Sequence, residues 1–355
     1  MVMRPQVRIS VLAAAVLAAC LLGPSAAGAE IVLPAGFTAQ LHVTGEGFDS
    51  DTGRNARGIR AIASLAVDQA GVMYVARAGR RYSGGEFEYL WPLYRIPAGG
   101  ARLTPETESR FLYGPPLTNV QIGALRGSRE LFVSTFDRDR KLGGVFRIVD
   151  GRAEIFAGGT PEPGHAPLFV QPEGVAVDGA GGVYVADRER GVVVRLDGEG
   201  RVVDPRYLGV SRPRLVLADG EGGLWIGADG DAQAPWQAGP GEIWHVPSQG
   251  DPRVVARGPV AQGMSLGPGG HVFVADRHAG QVFALGPDGT RVELARFTNG
   301  DAPRGLGFAP VTPETRAAGM AGSLFVVVIR RSAWPVTEVV KITGPFDDLL
   351  RSGGR

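Results

Sequence analysis

One segment of this chain recurs, and the recurrence limits the possible folds more than any other feature. It reads Gln171-Pro-Glu-Gly-Val-Ala-Val-Asp-Gly-Ala-Gly-Gly-Val-Tyr-Val-Ala-Asp187. Related copies begin at Ala63, Pro213 and Gln262, and two more degenerate ones at Gln121 and Arg304. Each copy holds two short apolar runs separated by a turn, and all six of these turns carry Gly. The apolar runs that follow the turns centre on Val75, Val133, Val185, Ile226, Val274 and Val326. A period of roughly 40–50 residues built from short strands and Gly turns predicts a β-propeller. Six copies predict six blades.

The rest of each period completes the blade. A polar loop follows the second run, then a third apolar run such as Val192-Val-Val-Arg-Leu196. A Gly-containing hairpin at Asp197–Gly200 leads to an outer strand near Val202 to Leu208. The sixth copy stops short. After Val339-Val-Lys-Ile342 only Gly344-Pro345, a short terminal turn at Phe346–Leu350 and a polar tail remain. A strand-like run stands unused at the other end, Phe37-Thr-Ala-Gln-Leu-His-Val43. The N-terminal strand is therefore expected to close the last blade, which removes an open sheet edge.

Residues 1–29 read as an export signal and 30–355 as one propeller domain. Arg4 and Arg8 precede an apolar run from Ile9 to Leu22, which Gly23-Pro24 breaks. Ala27-Gly28-Ala29 is a small-residue cleavage site. A second reading competes: Leu17-Ala-Ala-Cys20 is a lipobox-like sequence in which Cys20 would be lipidated. Either route predicts a periplasmic or secreted protein, with membrane contact only through a lipid anchor. Cys20 is the only cysteine, so disulfides and thiolate chemistry are excluded from the domain. Basic and acidic residues number 37 and 36, which argues against a nucleic-acid partner.

The blade pattern resembles the NHL repeat in its Pro-Glu-Gly-Val-Ala-Val-Asp start and Val-Tyr-Val-Ala-Asp strand end. The Asn usual after that strand end is missing, because the loops read Arg188-Glu-Arg-Gly191 and Arg277-His-Ala-Gly280. More broadly the chain is similar to the six-bladed superfamily of gluconolactonase-like lactonases and quinone-dependent sugar dehydrogenases. Its opening, Leu33–Leu41, resembles that of sorbosone dehydrogenase-like proteins. The resemblance implies two cofactor candidates, calcium and pyrroloquinoline quinone. It also implies that the residue just before each inner strand faces a central channel.

Those six positions are Ala63, Gln121, Glu173, Arg214, Gln262 and Arg304. A lactonase-type cation needs several oxygen ligands with excess negative charge. This ring offers one carboxylate against two guanidiniums, so no metal ligand and no cofactor are predicted. Two readings of the ring remain. In one, Glu173 neutralises both Arg214 and Arg304 as a structural ion-pair ring. In the other, the two arginines clamp an anion at the channel mouth. Trp236 and Trp334, in long loops, suit a sugar, a planar ligand or a protein surface. His165 and His278 fall on the same expected face as candidate bases, each without a positioned partner. The expected function is a binding module for a small anionic or sugar-like ligand, or for a periplasmic protein. The alternative is a lactonase-like hydrolase or a quinone-dependent sorbosone- or glucose-type dehydrogenase, with catalytic residues unassigned.

Overall fold

The computed structural model describes residues 31–48, 57–77, 81–83, 86–88, 90–127, 129–137, 139–231, 239–331 and 336–353. The expected signal segment and Cys20 lie outside the described residues, as do Trp236 and Trp334.

Six blade sheets, antiparallel except for one added edge strand, stand around one axis, and Arg81–Ser83 pairs with Glu86–Glu88 in a separate two-stranded sheet. Blade 1 comprises Ile62–Val67, Met73–Arg77, Leu90–Ile96 and Leu112–Thr118. Blade 2 comprises Gln121–Arg126, Glu130–Asp137, Leu142–Val149 and Arg152–Gly158. Blade 3 runs through Pro172–Val177, Val183–Asp187, Val192–Leu196 and Val202–Gly209. Blade 4 runs through Pro213–Ala218, Leu224–Ala228, Glu242–Val246 and Arg253–Arg257. Blade 5 is Ala261–Leu266, Val272–Asp276, Gln281–Leu285 and Arg291–Phe297. Blade 6 is Ala302–Phe308, Leu324–Ile329, Thr337–Thr343 and the N-terminal strand Thr38–Gly45. The inner strands of neighbouring blades touch in sequence, and the sixth touches the first, so the ring closes.

The repeat grammar has a local physical basis. Asp178 accepts the backbone N–H groups of Ala180 at 2.9 Å and Gly182 at 2.8 Å, which fixes the turn between the first two strands. Asp68 and Asp219 do the same in blades 1 and 4. The second strands then lie in the middle of each sheet, and Val183–Asp187, Leu224–Ala228 and Val272–Asp276 are buried at every residue. Their apolar side chains pack against the neighbouring blade, forming the six core clusters.

Closure of blade 6 matches the expectation and is reinforced by charge. Leu41 pairs with Val340 and Val43 with Val339. Glu338, almost fully buried, accepts from Thr44 Oγ1 at 2.6 Å and from Nε of both Arg57 and Arg330 at 2.9 Å. Arg330 also donates to Asp301 at 2.8 Å. The N-terminal arm, the last hairpin and the blade 5–6 connection thus meet at one ionic knot. Two edge strands were not anticipated. Ile31–Val32 extends blade 5, and Ala101–Leu103 extends blade 6 in parallel beside Thr38–Gly45. The C-terminal segment forms a helix, Phe346–Gly353, whose Phe346 packs edge-on against Phe37, Phe273 and Phe308.

The inner strands approach so closely that some positions admit no side chain. A Cβ on Gly263 would stand 2.2 Å from the carbonyl oxygen of Arg304, and one on Gly174 would stand 2.8 Å from that of Arg214. Gly263→Ala is therefore expected to destabilise the protein by about 1–3 kcal/mol. A denaturant titration should show a lower midpoint at unchanged slope. Gly179→Ala, at a turn with nothing within 4 Å, is the control and should leave the midpoint in place.

His42, on the closing strand, packs against Phe325 with ring centroids 4.7 Å apart and planes tilted by 57°. Burial, aided by Lys341, pushes its pKa down from 6.5 to about 4. The folded protein therefore binds this proton less readily than the unfolded chain does. The stability that follows is complete above about pH 6.5 and is lost as pH falls toward 4. His42→Phe should make the thermal midpoint less sensitive to pH across that window. An unchanged pH profile would show that His42 does not contribute to it.

Candidate functional site

Each inner strand but one carries a β-bulge at the position that faces the axis. In blade 3, Pro172 pairs with Asp187 and Gly174 with Ala186, leaving Glu173 as the extra residue. Ala63, Arg214 and Gln262 are the extra residues of blades 1, 4 and 5 in the same way. In blade 6 the irregularity spans Arg304 and Gly305. Blade 2 differs, since Gln121 pairs regularly with Ser134 and the bulge falls on Gly123. A bulge re-aims a side chain out of the pleat. All six ring positions line one central cavity of about 410 Å³.

The two sides of this ring differ in charge balance. On the side of blades 3 and 4, Glu173 receives Gln171 Nε2 at 2.5 Å on one oxygen and Arg214 Nε at 3.0 Å on the other. Arg188 approaches the same carboxylate at 3.9 Å. Asp229, buried, takes Arg188 through Nε at 3.1 Å and a second nitrogen, Arg212 at 3.4 Å and Arg214 at 3.5 Å. Burial opposes the charge on Arg214, but Glu173 and Asp229 outweigh it and hold its pKa above the ordinary arginine value. The backbone around this cluster is also fixed. Asp187, fully buried, accepts the N–H groups of Val170 at 2.8 Å and Gln171 at 3.1 Å, which presents the Gln171 side chain to Glu173.

On the opposite side the ring is not neutralised. Arg304 has no carboxylate partner among the described residues. Its hydrogen bond there is a long one, 3.5 Å, to the carbonyl of Ile62. Burial pushes its pKa down to about 10, with further repulsion from Arg277 and Arg214 and partial relief from Glu173. The expected ion-pair ring is thus only half formed. Glu173 bonds Arg214, its chain neighbour in the ring, and leaves Arg304 unpaired because the two stand three blades apart.

The remaining expected site residues fall elsewhere. Gln121 and Gln262 line the cavity with Glu173, Arg214 and Arg304. His165 is exposed on the connection between blades 2 and 3, and His278 is exposed on a blade 5 loop where its N–H donates to Asp276 at 3.1 Å. Neither lines the cavity. Gln171, Arg188 and Asp229 were not singled out as ring partners. The divalent cation that the lactonase resemblance implies does not fit this donor set. Among the described residues no group of three or more His, Cys, Asp or Glu is placed to hold a metal. The one ring carboxylate is already held by Arg214. A quinone dehydrogenase needs a base beside its cofactor, and the lining residues include no histidine.

The asymmetry has opposite consequences for stability at two positions. Glu173→Gln deprives Arg214 and Arg188 of a buried counter-charge and should cost about 1–3 kcal/mol. Arg304→Gln removes a desolvated, unpaired cation and should leave stability unchanged or raise it by about 1 kcal/mol. Thermal melts of both variants check this. A large loss in Arg304→Gln would show that the guanidinium has a structural partner.

Residues 169–195 match the NHL repeat family. No curated protein matches the chain at the sequence level. Among solved structures, a streptogramin B lyase superposes with a TM-score of 0.50 at 11% identity, covering 87% of this chain and 98% of the lyase. A protein of unknown function from Bacteroides thetaiotaomicron gives a TM-score of 0.53 at 9% identity, covering 88% of this chain and 77% of its own. A putative gluconolactonase gives 0.42 at 13% identity, covering 63% and 88%. Identities this low speak for the fold alone. The chain is a six-bladed β-propeller that carries an NHL repeat.

Proposed function

We propose that this propeller is a binding module whose channel mouth holds a small anionic ligand, with Arg304 as the anchor. The observation that carries the reading is the unpaired Arg304 guanidinium lining the 410 Å³ cavity, close enough to Arg277 and Arg214 to be repelled by both. A protein that keeps a desolvated cation without a counter-charge bears a folding cost that an incoming anion would relieve. A guanidinium offers a planar fork matched to a carboxylate. Gln262, the ring residue of the adjoining blade 5, supplies a neutral amide, and Ala63 on the other side leaves room.

The enzyme alternative has less support. Hydrolysis or hydride chemistry needs a base or a Lewis acid at the ligand. The cavity offers Glu173 alone, already engaged by Arg214 and Gln171. The leader read from the sequence would place the module in the periplasm or outside the cell.

Thermal melts with acetate or phosphate, against chloride at matched ionic strength, test the reading. A ligand at about 100 times its dissociation constant adds about 2.7 kcal/mol to the folded state. The midpoint of the wild-type protein should rise by about 2 °C or more. Arg304→Gln should abolish the rise. An equal rise in that variant would assign the anion to some other surface.

A further inference from the structure

The ring places its two unlike charges on opposite walls. Glu173 belongs to blade 3 and Arg304 to blade 6, three steps apart in a closed ring of six. Both line the same cavity. Gln121 and Gln262, from blades 2 and 5, face one another in the same sense. A ligand whose anionic head sits on Arg304 therefore extends toward Glu173.

Glu173 is held in place as a hydrogen-bond acceptor. Gln171 Nε2 bonds one carboxylate oxygen and Arg214 Nε the other. Each oxygen of a carboxylate can accept about two hydrogen bonds, so both retain acceptor capacity. Gln171 and Arg214 also fix the side chain in place, so it cannot swing away from a second negative charge. A far-end hydroxyl or ammonium would find an acceptor there. A far-end carboxylate or phosphate would set its own oxygens against those of Glu173, acceptor against acceptor, with no donor between them.

We propose that Glu173 is the specificity-determining residue of this mouth, selecting monocarboxylates that carry a hydrogen-bond donor at the opposite end and rejecting dianions. The ligand class is then a small hydroxy acid or amino acid zwitterion. This rests on the anion reading of Arg304 given above.

A four-carbon series of one length separates the possibilities: butyrate, 4-hydroxybutyrate, 4-aminobutyrate and succinate. Calorimetric titration of the purified protein at pH 7 and fixed ionic strength reads each affinity. The amino and hydroxy acids should bind at least about tenfold more tightly than succinate, a difference of about 1.4 kcal/mol. Glu173→Gln should collapse that ranking by strengthening succinate and weakening 4-aminobutyrate. Glu173→Asp, which keeps the charge and shortens the reach, should still reject succinate while binding the donor-bearing acids more weakly. It also serves if Glu173→Gln folds poorly, which circular dichroism would reveal. Succinate binding as tightly as 4-aminobutyrate, or a ranking unchanged in Glu173→Gln, overturns the selection. If all four bind alike and Arg304→Gln abolishes them, the anion site stands and selection by Glu173 is wrong. Binding that survives Arg304→Gln, or no binding by any of the four, removes both.

Discussion

The edge-to-edge approach of six inner strands around one axis is the constraint on which the rest of this structure depends. Strands that close have no space for a side chain at the contact. Gly174 and Gly263 meet the next strand's backbone there, and Gly305 meets the carbonyl of Ala63 at 2.5 Å from an ideal Cβ. A glycine cannot project into the channel, so the residue before it does. The bulges at Glu173 and Gln262 immediately precede these glycines. Tight closure and a ring of inward side chains are thus two results of one local arrangement. Blade 1 replaces the glycine with Ser64, whose hydroxyl accepts the N–H of Ile122 at 2.8 Å and so bonds across the same junction.

Charge is distributed around this ring by where an acid falls at the end of each second strand. In blade 3, Pro172 lies opposite Asp187, and that carboxylate is consumed by backbone N–H groups of the preceding loop. In blade 4, Pro213 lies opposite Ala228, so Asp229 falls one residue past the equivalent place. The offset releases it from loop capping and lets it gather Arg188, Arg212 and Arg214. In blade 6 the second strand ends at Ile329 and is followed by Arg330 instead of an acid, and Asp301, just before the inner strand, is taken by that arginine in the closing knot. Among the described residues no carboxylate is left for Arg304. The unpaired cation follows from where the chain closes, as well as from the ring residues themselves.

Much of this was legible in the sequence, because a repeat of two apolar runs and an Asp-Gly turn has few ways to bury its faces. The six blades and the closing strand from the N-terminus could be read by aligning the copies, which also put Ala63, Glu173, Arg214 and Gln262 at the bulges but not that of blade 2, where Gln121 pairs regularly. The pairing of Glu173 was half legible. Repeat alignment puts Arg214 one blade from Glu173 and Arg304 three blades away, but it gives no distances and so could not show the contacts that Gln171 and Arg188 add. The lag of Asp229 was legible, since copies aligned on Pro172 and Pro213 place it one residue beyond Asp187. The added edge strands, two and three residues long, are too short for any periodicity to announce them. Gly after the ring residue is a second signal present in the sequence. Glycine inside a strand pattern marks a bulge or a close backbone approach, and here it marks both.

The arrangement also explains why structural neighbours carry so little information about chemistry. The residues that define the fold are the turn aspartates, the buried second strands and the glycines at the axis. The bulged residue is outside that set, since its side chain points into the channel and bears no packing duty. Ala63 and Glu173 occupy equivalent bulges with equal ease. Propellers can therefore share nearly all of their backbone and differ at each of the six side chains that meet a ligand. For this chain the informative comparison is internal: one half of the ring has spent its charges on itself, and the other half presents a guanidinium with no carboxylate partner among the described residues.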